Sequence, residues 1–215
     1  MDKGRRYILF SVLCAVFCTL AQAQPRLRTP EFYVGAHGGV TASTVLFNPA
    51  HANMSPITKA CVLGGNGGFV FRYAGHKYCH FQMELNYEHR GWTEGGTPHS
   101  LHYIELPILM NINAGSDLCR WFFNFGPQIG YCVKDESSTV THPFDWGLAA
   151  GTGFYFDTRK AGLYQLEVRF DFSFGGVLGT TVVDAHTMAS PMDLSINLAY
   201  MWKIKKKNKR YEDKL

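Results

Sequence analysis

The sequence predicts an all-β fold, a closed antiparallel up-and-down transmembrane β-barrel of about eight strands. Apolar and polar residues alternate with period two through eight segments, and no helix of useful length can be drawn through the clearest of them. The connections between those segments alternate long and short, and aromatic residues gather at the segment ends.

The alternation is clearest from Tyr164 to Phe174. Tyr164, Leu166, Val168, Phe170, Phe172 and Phe174 share one face; Gln165, Glu167, Arg169, Asp171 and Ser173 share the other. The stretch from Phe81 to Arg90 repeats the pattern, as do Leu194, Ile196, Leu198, Tyr200 and Trp202 against Ser195 and Asn197. Segments of this kind fall at roughly 31–41, 59–72, 77–91, 100–113, 119–133, 144–157, 162–175 and 193–204.

The connections between them run to roughly 17, 5, 8, 5, 10, 4 and 17 residues in order. Long odd-numbered and short even-numbered connections are what a membrane barrel shows, with short periplasmic turns and longer extracellular loops. Both termini are then periplasmic. Ala74-Gly75-His76, Ala114-Gly115-Ser116-Asp117 and Thr158-Arg159-Lys160-Ala161 have suitable turn chemistry.

Alternation alone does not say which face is inside, and a lipocalin-like soluble barrel would reverse it. The polar face decides the matter. It carries an ion network of Arg72, Glu84, Glu88, Arg90, Glu105, Glu167, Arg169 and Asp171 rather than lysines, and it is rich in glycines such as Gly147, Gly151 and Gly153. An eight-stranded barrel is just wide enough for its own side chains, so these charges are expected to pair inside and to form no pore. Phe32, Trp92, Trp121, Trp146, Tyr164 and Trp202, with Tyr131 and Phe156, are expected to form the interfacial girdles.

The ends of the chain set the compartment. Lys3, Arg5 and Arg6 precede an apolar run from Tyr7 to Leu20, and Ala21-Gln22-Ala23 supplies a cleavage site, so residues 1–23 read as a signal peptide. Residues 24–30 are a short N-terminal segment, 31–204 the barrel and 205–215 a basic periplasmic tail beyond Trp202. Near inner-leaflet headgroups each basic residue of that tail is worth about 1 kcal/mol of attraction; a solvated end is the bland alternative. Charged residues make up 18% of the chain, below the roughly 25% of soluble domains. The leader carries +2 and residues 203–215 carry +5 of the net +4, which leaves the body acidic and excludes a nucleic-acid surface. Cys61, Cys79, Cys119 and Cys132 survive cleavage. Cys79 and Cys119, both near short turns, are the candidate disulfide, but their strands are not neighbours and four free thiols are the favoured state.

Several short motifs resemble the porin-family, PorT-like outer-membrane β-barrel proteins of Bacteroidota. They are Tyr103-Ile104-Glu105-Leu106-Pro107, Gly126-Pro127, Asp145-Trp146-Gly147, Leu166-Glu167-Val168-Arg169-Phe170 and Leu198-Ala199-Tyr200. The resemblance spans about residues 31–204 and implies an eight-stranded membrane barrel, in agreement with the strand count. Ala199 departs from the pattern, where glycine is usual, and so does the basic tail. The named family member serves protein secretion, a role not carried over here.

The remaining features are weighed against simpler readings. Pro107 removes a ladder donor, so a bulge is expected at Leu106-Pro107. Asp184, His186, Ser190 and Thr180 allow a rim-site hydrolase of lipid A or peptide, but no triad geometry follows from the sequence. His76, Cys79 and His80 have metal-like spacing, whereas a structural zinc site wants four ligands. The apolar stretches Thr44-Val45-Leu46-Phe47, Val177-Leu178 and Val182-Val183 are either strands continuing above the membrane or a partner surface on the extracellular loops. The expectation is a monomeric outer-membrane barrel with a structural or interaction role, no enzyme, no cofactor and no metal. A rim hydrolase, a secretion accessory and a narrow diffusion porin are the alternatives.

Overall fold

The computed structural model describes residues 26–49, 57–58, 60–94, 97–116, 118–135, 143–158, 162–174 and 186–204. The leader, the basic tail, Thr180, Asp184 and the apolar pairs at 177–178 and 182–183 lie outside the described residues. The strands are β1 (Arg26–Pro49), β2 (Ile57–Thr58), β3 (Ala60–His76), β4 (Cys79–Glu94), β5 (Thr97–Gly115), β6 (Cys119–Asp135), β7 (Phe144–Asp157), β8 (Leu163–Ser173) and β9 (His186–Ile204). Eight long strands pair antiparallel in chain order, and β1 pairs with β9 to close the barrel. The two-residue β2 meets the far end of β1 at Leu46 and Phe47. Closure leaves no free edge along the staves, the condition for a sheet to sit in hydrocarbon.

The strands outrun the expected segments. The β1–β9 ladder runs from Phe32 opposite Ile204 to Pro49 opposite His186, so Thr44 to Phe47 belong to a stave rather than a loop. A spanning strand needs about 9–11 residues, so these two stand well beyond one side of the membrane as a tall rim. Residues 26–30, expected to be part of a separate terminal segment, join β1. The β4–β5 ladder reaches Glu94 opposite Thr97, which reduces an expected long connection to two residues. Both ends of the barrel chain lie at the same rim as the turns after β3, β5 and β7. Gly115 at φ 138° and Gly162 at φ 106° take the left-handed backbone that lets two of those turns reverse.

Side-chain alternation follows most of the strand length and breaks at Val133-Lys134 of β6, both exposed, and at Ser190-Pro191 of β9, both buried. In β8, Leu163, Gln165, Glu167, Arg169, Asp171 and Ser173 are buried, while Tyr164, Leu166, Val168 and Phe170 are 42–49% exposed. The polar face is therefore the inside. Around the turn-side rim, Phe32 packs against Tyr73 at 5.1 Å and Tyr164 against Tyr200 at 4.9 Å, and Tyr200 meets Trp202 edge-on at 4.6 Å. Trp121, Trp146 and Trp202 all face outward.

Two expectations need correction, and the candidate disulfide does not form. Trp92 is not a girdle residue: it is fully buried and stacks on His99 at 4.9 Å. It shares the parity of Glu88 and Arg90 on β4, so the alternation that turns those charges inward turns Trp92 inward too. No bulge forms at Pro107. The β4–β5 register is the same on both sides of a gap opposite Leu106 and Pro107, and the ladder of β5 with β6 shifts instead between His102 and Tyr103. The missing proline N–H thus interrupts pairing without adding a residue to the strand. The candidate disulfide Cys79–Cys119 is not formed, and Cys61, Cys79, Cys119 and Cys132 are all free. Cys79 faces Ile112 of β5, which faces Phe123 of β6, so Cys119 is two strands over and further along. Strands lie about 4.8 Å apart, which puts the pair beyond the roughly 7 Å limit of a disulfide. Thiol titration of the denatured mature protein should give the same count of four with and without reductant; a lower count without reductant would show a bridge.

Candidate functional site

The interior is built from the inward parity of the strands and holds polar clusters beside an apolar cluster that includes Val70, Phe122, Leu163 and Met201. Its chemistry follows from the cost of burying charge: each carboxylate and guanidinium must find partners inside the barrel.

One cluster centres on Arg169 of β8. Its Nη1 and Nη2 reach the two Glu84 carboxylate oxygens at 2.7 Å each, across the lumen on β4. Its Nε donates to Glu167 Oε1 at 2.7 Å. Asn124 donates to Glu167 Oε1 at 2.9 Å and Asn86 to Glu84 Oε2 at 3.0 Å, which uses further lone pairs of these carboxylates. Gly151 makes room for this arrangement: a Cβ there would lie 2.5 Å from Glu167 Oε1 and 2.6 Å from Asn124 Oδ1. His37 Nε2 sits 2.7 Å from Asn86 Oδ1, extending the network to β1.

A second cluster centres on Arg90 of β4. Its Nη1 lies 2.8 Å from Glu105 and 3.7 Å from Asp145, its Nη2 donates to Glu88 at 3.1 Å, and its Nε lies 2.8 Å from Asp193. The guanidinium also lies over the Tyr103 ring at 5.2 Å. Thr41 donates to Glu88 at 3.0 Å, and Ser173 to Asp145 at 2.6 Å. Asp171 stands between the clusters, sharing with Glu88, Glu105 and Arg169 a gap of about 10 Å³.

Arg72 departs from the expected ion network. Among the described residues it pairs with no carboxylate; its Nε donates to Gln82 Oε1 at 2.9 Å, and its Nη2 donates to Gln82 and Gln165. Those two glutamines donate hydrogen bonds from Nε2 to Glu84 and Glu167. Gln82, Gln165, Asp145 and Asp193 are further members that the expected network lacked, although strand parity alone places each on the inward face. The buried set among the described residues holds seven carboxylates against three arginines, so each arginine bonded to acids serves more than one.

The two ends of the lumen differ. At the rim away from the turns, Val45, Trp92, Leu101, Tyr103 and Pro191 close over the Arg90 cluster and leave a gap of only about 10 Å³. At the turn-side rim a cavity of about 260 Å³ opens between Tyr33, Arg72, Tyr155 and Lys203. Ser190, a candidate hydrolase residue, is buried on β9 opposite Leu46. Among the described residues no group of three or more His, Cys, Asp and Glu side chains is arranged to hold a metal.

A polar, ion-paired interior within an apolar exterior is the arrangement of an integral membrane β-barrel. The chain belongs to the outer membrane protein beta-barrel domain family, which matches residues 21–179, and it is thereby an outer-membrane barrel. Two solved structures are similar to the chain. Ail, the attachment invasion locus protein of Yersinia pestis, is 12% identical with a TM-score of 0.44, over 80% of this chain and 99% of that one. The outer membrane protein OprG of Pseudomonas aeruginosa is 11% identical with a TM-score of 0.49, over 81% and 96%. No curated protein matches the chain.

Proposed function

We propose that the protein is a non-enzymatic structural or interaction barrel of the bacterial outer membrane, with a filled, non-conducting lumen and both termini in the periplasm. The observation that carries this reading is the filling of the lumen: Arg90 and Arg169 with their carboxylates cross it, and the gaps left between them are about 10 Å³. Such a gap holds at most about one water, too little for a hydrated ion. The plug of Val45, Trp92, Leu101, Tyr103 and Pro191 supports the same conclusion.

The resemblance of five motifs to PorT-like barrels of Bacteroidota supports placing the chain among them. Short turns at the rim that holds both chain ends support the periplasmic orientation. The tall rim formed by β1 and β9 offers the surface for a protein partner, with the barrel itself a monomer in lipid. A rim-site hydrolase is less well supported, because Ser190 is only 3% exposed. Reconstitution into planar bilayers is the test. No steady single-channel conductance is expected, and discrete steps that persist in the purified protein would overturn the proposal in favour of a porin.

A further inference from the structure

We propose that the turn-side vestibule binds a small oxyanion of the phosphate class, with Arg72 as the charge that attracts it. The cavity there measures about 260 Å³, against a liquid volume of roughly 30 Å³ per water, so a phosphate-sized ion fits together with part of its hydration shell. The other gaps between lumen side chains described above are far smaller.

Charge selects the ligand. Arg72 is fully buried, and its Nε and Nη2 are taken by the neutral amide oxygens of Gln82 and Gln165. Among the described residues its Nη1 has no hydrogen-bond partner. A buried guanidinium with an orphan N–H is costly, and that cost is offset when an anion comes to it. Acids deeper in the lumen are engaged by Arg169 and Arg90, whereas among the described residues no carboxylate pairs with Arg72.

The vestibule wall adds Arg120 and Lys203 as cations and Glu31 and Asp157 as acids, which with Arg72 leaves one positive charge in excess. Lys203 and Tyr33 both engage Glu31, so that acid is already committed. Arg72 and Tyr155 both line the cavity, with the guanidinium carbon 5.3 Å from the Tyr155 ring centroid. Poor access of water to this wall strengthens the attraction of the guanidinium for an anion. Several donors of separate origin suit an ion with three or four oxygens better than a monocarboxylate.

The test is titration of inorganic phosphate into the folded full-length mature protein in detergent, at constant ionic strength with chloride as the balance. Calorimetry reads the affinity and thermal unfolding reads the stabilisation. Phosphate should bind and raise the unfolding midpoint, and acetate should bind at least about tenfold more weakly. Arg72→Gln should abolish binding. Arg120→Gln, at the more open mouth and easier for the fold to tolerate, should weaken it by about tenfold, and Asp157→Asn should tighten it. No heat and no midpoint rise in the parent would overturn the proposal. So would equal affinity for acetate, or an Arg120→Gln affinity equal to the parent's, which would place the anion on other basic groups. Should Arg72→Gln fail to fold, the Arg120→Gln and Asp157→Asn comparisons decide. Each of these readouts is independent of conductance, so failure here leaves the filled-lumen reading standing.

Discussion

Replacing Arg90 with alanine is expected to destabilise the barrel more than removal of any other lumen side chain, by about 5 kcal/mol or more. Truncating one partner of a buried ion pair costs about 3–5 kcal/mol, because the charge left behind has neither water nor a counter-ion. Arg90 stands within 4 Å of four carboxylates, those of Glu88, Glu105, Asp145 and Asp193. Its loss strands all four and sets them against one another. Unfolding by urea from micelles, with the slope unchanged, would read the loss directly. Partial recovery in the double variant Arg90→Ala/Glu105→Gln is expected, since the glutamine removes one uncompensated charge. A midpoint for Arg90→Ala within about 0.5 kcal/mol of the parent would show that the cluster contributes little to stability.

The second expected result contrasts two neighbours on β8. Arg169→Ala should cost about 3–5 kcal/mol, and Phe170→Ala less than that. Arg169 closes a bidentate pair with Glu84 across the lumen and holds Glu167 on its own strand. Phe170 is 45% exposed on the outer face, where lipid takes up the space that alanine vacates, so no dry cavity remains. The coupling between Arg169→Ala and Glu84→Gln, read as a double-mutant cycle, should be well above about 1 kcal/mol. Equal costs for the two single variants would argue that position 169 faces lipid, and the inside-outside assignment would fall with it.

Much of this architecture is legible in the order of residues alone. A side-chain period of two names the strands from Gln165 to Ser173 and from Phe81 to Arg90 without reference to anything distant, because it is a property of the single extended chain. The same parity, once Glu88 and Arg90 are placed inside, already puts Trp92 inside. Assigning Trp92 to a girdle sets its place near a segment end ahead of that parity. Strand ends are the least legible feature. Whether β1 stops near Thr41 or continues to Pro49 depends on whether β9 stands beside it to take its hydrogen bonds, and that partner lies far along the chain.

The sequence by itself therefore determined the fold class, the inward face and the residue types that fill the lumen, since each follows from local alternation and from the cost of burying charge. Only the tertiary structure decided who pairs with whom. Arg169 meets Glu84 of β4 and Arg90 meets Asp193 of β9 because barrel closure and stagger bring non-neighbouring strands face to face across the lumen. Arg72 takes Gln82 from the neighbouring β4 but Gln165 from β8 across the lumen, and the residue lines the vestibule. Sequence spacing carries no record of that geometry, because side chains that meet across a barrel are set by strand order, tilt and register, which exist only when the whole sheet has closed.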